Sequence, residues 1–129
     1  MPKLYKMRIL LIPALSMATA NPAEAHHSFA MFDGSKTVAL NGTIKQLKWT
    51  NPHCWVQLLV RDARTGKVIE WSIEGMSPNG LTRLGWSRNM AKPGDQAVVE
   101  IHPLKDGSPG GALVSVTVSG TKYVTRAGG

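Results

Sequence analysis

At 129 residues the chain has the length of one domain. Its formal net charge of +7 is scattered, with no run of five or more basic residues, so it permits attraction to anionic surfaces without by itself indicating nucleic acid. Cys54 is the only cysteine, which excludes an internal disulfide.

The first residues read as a targeting segment. Lys3, Lys6 and Arg8 form a basic region, Ile9-Leu10-Leu11-Ile12-Pro13-Ala14-Leu15 begins an apolar one, and Ala23-Glu24-Ala25 has the small-x-small pattern of a signal-peptidase site. A membrane anchor would need roughly 20 continuous apolar residues, and this run is shorter. Residues 1–25 are therefore expected to be a signal peptide cleaved after Ala25, with the protein exported to the periplasm and no transmembrane segment in the mature chain. Ala18-Thr19-Ala20 is a second candidate site. Cleavage after Ala25 removes Lys3, Lys6, Arg8 and Glu24, which lowers the net charge to about +5.

Residues 26–36 form an N-terminal extended segment without clear period, and Phe29, Met31 and Phe32 suggest that it lies against the domain. A single domain is expected over 37–124, and 125–129 reads as a frayed tail. Thr37 to Trp49 is the first strand, with Val38, Leu40, Gly42 and Ile44 on one face by period two. The glycine inside it suggests a bend. After the Asn51-Pro52 turn, a second strand runs from His53 to Val60, with Cys54, Val56, Leu58 and Val60 facing one way and His53, Trp55, Gln57 and Leu59 the other. A hairpin at 62–67 leads to a third strand, Val68 to Glu74, whose Ile69, Trp71 and Ile73 share a face. Ser77 can cap a short helix from Pro78 to Gly85. Gln96 to His102 is the fourth strand. Ala112 to Ser119 is the fifth, with Val114, Val116 and Val118 facing in.

Five strands with one short helix between the third and fourth is the plan of an all-β, partly open OB-like barrel; another small barrel or sandwich is the plainer competitor. The segments His26-His27-Ser28-Phe29, Leu47-Lys48-Trp49-Thr50-Asn51-Pro52-His53, Gly75-Met76-Ser77-Pro78-Asn79-Gly80-Leu81, Gly85-Trp86 and Lys92-Pro93-Gly94-Asp95 together resemble a family of small exported bacterial proteins, the domain-of-unknown-function family 6152. The resemblance covers essentially the whole mature chain and rests on the combination of motifs. It implies a signal peptide, an envelope location and one compact β-rich domain, and brings no established activity. Cys54 stands where the family pattern commonly has an apolar residue, so the resemblance does not make it essential.

Four histidines are candidate metal ligands: His26, His27, His53 and His102. The barrel plan puts the connection between strands one and two on the same rim as that between strands four and five, which brings His53 and His102 to one end. Cleavage after Ala25 makes His26 the new terminus, where its amine and ring nitrogen can chelate a metal; a further imidazole completes a nitrogen-rich site suited to copper. If Ala25 is retained, His27 is third, which also favours copper; cleavage after Ala20 removes both arrangements. Strand one starts at the far end of the barrel from His53, so the segment must run back along it, and ten extended residues reach at most roughly 35 Å. The plainer alternative is a solvated terminus and a turn histidine bonded to backbone.

Trp49, Asn51 and Trp55 are candidate ligand-binding residues, the two indoles as a stacking platform for an oligosaccharide or, less expectedly after export, a nucleic-acid strand. The competing reading has them covering the barrel mouth under the N-terminal segment, while Trp71 belongs to the core and Cys54 is an inert buried thiol. Glu70 and Glu74 share a strand face, but nothing marks either as a catalytic acid. No serine lies in a nucleophile-elbow pattern and no glycine-rich loop has phosphate-site spacing. The expectation is a non-catalytic binding domain with a copper or other divalent-metal site, the alternative an aromatic platform for oligosaccharide or other anionic polymer.

Overall fold

The computed structural model describes residues 29–125. The expected signal peptide, His26, His27 and all of the expected tail except Thr125 lie outside them. After a 3-10 turn at Phe29–Met31 come β1 (Val38–Lys48), β2 (Trp55–Arg61), β3 (Val68–Glu74), α1 (Pro78–Arg83), β4 (Gln96–Pro103), β5 (Gly110–Val118) and β6 (Thr121–Val124). Antiparallel ladders join β3, β2, β1, β4, β5 and β6 in that order, and a parallel contact between β3 and β5 closes the first five strands into a barrel. The expected OB-like plan is the observed one, with the helix between β3 and β4.

The barrel turns on β1. Its first half pairs with β4, Val38 opposite Ile101, and its second half with β2, Lys48 opposite Trp55. Gly42 lies where the strand crosses from one partner to the other: a Cβ there would sit 2.5 Å from the Leu59 carbonyl oxygen and 2.8 Å from Leu58 Cγ. Only glycine lets the strands approach this closely. An extra residue at Lys45 then shifts the register, so Leu47 and Trp49 pack toward the core.

The core is the inner face of each strand, as the alternation predicts. Leu58, Ile73, Val99 and Ile101 are fully buried, joined by Leu81 of α1 and by Trp86 just after it. Each buried aliphatic side chain of this size contributes about 1.5–3 kcal/mol over exposure. Ser77 caps α1, its Oγ accepting from the Gly80 N–H at 3.1 Å, and Pro78 opens it. The helix ends at Arg83, shorter than expected, because Gly85 takes a φ of +87° and breaks the spiral.

Two expectations are corrected. In β5 the inward residues are Leu113, Val116 and Val118 rather than Val114, because β5 has one residue more than β4 between Ser115 and Leu113 and the parity flips there. The chain also continues past β5 into a sixth strand. Ser119 and Gly120 both have positive φ, 50° and 76°, the requirement of a tight two-residue hairpin, and Thr121–Val124 folds back along Ser115–Val118. No helix among the described residues is long and apolar enough to cross a membrane.

Candidate functional site

The start of β2, the end of β3 and the β4–β5 connection (104–109) flank one groove of about 280 Å³ on the outer face of the barrel. Its apolar walls are Trp55, Phe32, Leu104 and Pro109, and β3 contributes Ser72 and Glu74. Register fixes these positions. Trp55 is paired with Glu74 and Gln57 with Ser72, so all four side chains leave the barrel on the same side. Ser72 Oγ donates to Gln57 Oε1 at 2.7 Å, which satisfies that pair.

The N-terminal segment forms part of the same groove. Phe32 bridges to Leu104, the Asp33 N–H donates to Pro103 O at 2.8 Å, and the Lys105 N–H donates to Met31 O at 2.9 Å. The segment does lie against the domain, but it need not run back along the barrel. The stagger of β1 puts Val38 beside Ile101, so the chain arrives next to the β4–β5 connection and Phe32 stands with Trp55 and Glu74.

His53 leaves a turn that contains a cis Asn51–Pro52 peptide. Beyond the formal end of β2 the ladder continues, Cys54 N–H to Met76 O and Gly75 N–H to Cys54 O, both at 2.8 Å, and this holds the His53 ring against β3. Its Nδ1 is 3.0 Å from Gly75 O. A carbonyl only accepts, so Nδ1 carries the proton and the neutral ring keeps its lone pair on Nε2. That nitrogen lies 3.7 Å from Oε1 of Glu74, whose side chain is only 12% exposed. The other oxygen, Oε2, is buried without a hydrogen-bond partner among the described residues. With the ring neutral, two acceptors thus face each other, Glu74 largely buried and His53 partly exposed, and one cation between them would satisfy both: a proton, making His53 an imidazolium, or a metal ion.

His102 is held in the same way but elsewhere, its Nδ1 2.7 Å from Lys36 O. Across the ladders it lies level with Ala112, then Glu74, then Trp55. At that level β5 and β3 stand between β4 and β2. The two histidines share a side of the barrel and are engaged separately. Among the described residues no group of three or more His, Cys, Asp or Glu is placed to hold a metal.

Of the other candidates, Asn51 is exposed, Trp49 and Trp71 pack partly buried against the core, and Trp55 is half-buried in the groove. Trp86 is buried; its Nε1 donates to Val124 O at 3.0 Å and its ring packs on Tyr123, which ties β6 to the helix end. Cys54 faces inward at 1% exposure, and burial pushes its thiol pKa up. Glu74, Phe32 and Leu104 are the groove residues that sequence reasoning passed over. Only the alternation of β3 hinted that Glu74 shares a face with Ser72.

The family described as "Family of unknown function (DUF6152)" matches residues 14–114. No curated protein and no solved structure matches the chain.

Proposed function

The chain belongs to that family of unknown function, and we propose that it is an exported, non-catalytic binding domain that holds a divalent metal ion, copper in its specific form, where His53 meets Glu74. The observation that carries this reading is the acceptor pair: an imidazole lone pair 3.7 Å from a carboxylate whose second oxygen is buried and unpartnered. A metal-ligating histidine characteristically donates its other ring N–H to a carbonyl, as His53 does to Gly75. Nitrogen and carboxylate donors suit Cu(II) and Zn(II).

Export supplies the rest of the set. With cleavage after Ala25, the His26 amine and ring and the His27 ring become further nitrogen donors. Phe29 is three residues from His26, a span of at most roughly 10 Å, and Phe32 already lines the groove. His102 takes no part in this set. Calorimetric titration of the mature chain with copper and with zinc tests the reading. Changing His26, His27 and His53 to Ala, or Glu74→Gln alone, lowers affinity by about tenfold or more, and His102→Ala leaves it unchanged. Unaltered affinity in the triple variant sinks the proposal.

A second reading keeps the groove and changes the ligand. Trp55 stands half-buried between Lys48 on β1 and Glu74 on β3, a position from which an indole can stack on an oligosaccharide. Binding to an anionic polymer would then be salt-sensitive and would fall when Trp55 becomes Ala.

A further inference from the structure

A second concavity, of about 440 Å³, opens where β1 runs into the β1–β2 connection, and its chemistry is the reverse of the groove's. It is lined by Gln46, Leu47, Lys48, Trp49, Thr50 and Arg88. Not one of these carries a carboxylate. Three other lysines are paired, Lys36 with Asp33, Lys45 with Glu70 and Lys122 with Glu100. Lys48 and Arg88 have no acidic partner among the described residues, and the Trp49 indole N–H has no acceptor among them. Two unneutralised cations, a free indole donor, a threonine hydroxyl and a glutamine amide thus border one space.

We infer that this concavity is an oxyanion subsite, and that its ligand is an acidic saccharide unit, a sugar ring bearing a sulfate or carboxylate. The anionic group is set by the cations. A guanidinium offers a planar fork of donors that matches an oxyanion, and an ammonium beside it adds a compact charge. The ring is set by Trp49. The indole packs partly buried against the core and also lines the cavity, which holds an apolar surface next to the charges at little cost in side-chain freedom. A bare inorganic ion would use the cations and leave that surface wet. The volume is in the range of small-ligand sites. The inference rests on residues separate from His53 and Glu74 and stands if the metal reading fails. It also goes beyond the stacking reading, because the charge contact is assigned to Lys48 and Arg88 and the ring contact to Trp49.

The test follows the indole N–H signals of the folded mature protein by ¹H–¹⁵N NMR, with the Trp49 signal assigned from its loss in Trp49→Phe. A sulfated disaccharide, its desulfated counterpart and inorganic sulfate are titrated in turn at low salt. The sulfated sugar moves the Trp49 signal to saturation, and the other two bind at least about tenfold more weakly. The double variant Lys48→Gln/Arg88→Gln loses about tenfold or more. Lys67→Gln/Lys92→Gln, which removes the same charge elsewhere, loses no more than about threefold. Equal binding of both disaccharides, equal losses in the two double variants, or a Trp49 signal that no probe moves would overturn the subsite. Inorganic sulfate binding as tightly as the sulfated sugar would overturn the saccharide assignment.

Discussion

In the neutral imidazole of His53, whose Nδ1 donates to Gly75 O, Nε2 faces the Glu74 carboxylate as a second acceptor, 3.7 Å from Oε1. Such a contact is unfavourable until a cation enters it, and its energetics can be read in variants. Glu74→Gln removes a buried charge that lacks a full set of partners, so the metal-free protein keeps its stability or gains up to about 1 kcal/mol. His53→Ala gives up the hydrogen bond to Gly75 O and costs about 1 kcal/mol, and adding Glu74→Gln to it brings no further loss. Urea unfolding of the three variants decides it. A Glu74→Gln protein destabilised by more than about 2 kcal/mol would make Glu74 a structural residue rather than a waiting ligand.

Gly42 and Gly34 make a contrasting pair. A Cβ at Gly42 would press into the Leu59 carbonyl and the Leu58 side chain, whereas one at Gly34 meets nothing within 4 Å. Gly42→Ala is expected to cost about 2 kcal/mol or more, since the obstruction is backbone, and Gly34→Ala to fall within about 0.5 kcal/mol of the parent. Equal denaturation midpoints for the two would contradict the account of how β1 crosses the barrel.

Strand β6 should loosen in acid. Lys122 Nζ lies 2.8 Å from Glu100 Oε2, and Ser115 Oγ donates to the same oxygen. The Lys122 contact first, and the Ser115 hydroxyl second, hold the Glu100 carboxyl below its ordinary value of 4.5. A carboxyl with a lowered folded pKa lends its stabilisation above the unfolded value and loses it as pH falls through the folded one. Protection of the β6 amides is therefore flat above about pH 5 and declines below about pH 4.5. Asp33, held low by Ser35 and Lys36, and Asp106, held low by Ser108, titrate in the same direction, so the comparison is with Lys122→Ala. That variant should lose β6 protection at neutral pH and show a shallower acid dependence in hydrogen exchange.

Cys54 is buried beside Val56 in the core and its thiol pKa is raised. A thiol reagent at pH 8 should label it only at the rate of opening of the fold, and at full speed in denaturant. Rapid labelling of the native protein would contradict the inward face assigned to this residue.

Where each face is one-sided, the sequence could be read directly. Ile69, Trp71 and Ile73 alternate with polar neighbours, Ser77-Pro78 announces a helix, and five strands around that helix specify the barrel. Period two fails at a bulge, so alternation alone puts Val114 on the inner face, and no local pattern marks where an extra residue falls. Ser119-Gly120 is a turn dipeptide, but the short strand after it carries little apolar alternation and takes its place from its ladder with β5 and from Trp86, far away in the chain. The site was half legible. His53 stands out by its motif, whereas Glu74 becomes notable only once the β2–β3 register sets it beside Trp55 and burial leaves one of its oxygens without a partner.

The most direct test of the central claim is the intact mass of the mature, natively purified protein, measured together with its bound metal. The account predicts a chain that starts at His26 and carries about one copper per molecule, with the metal lost in Glu74→Gln and His53→Ala. A chain starting at Asn21, or one starting at His26 that stays metal-free when copper is offered, would contradict it.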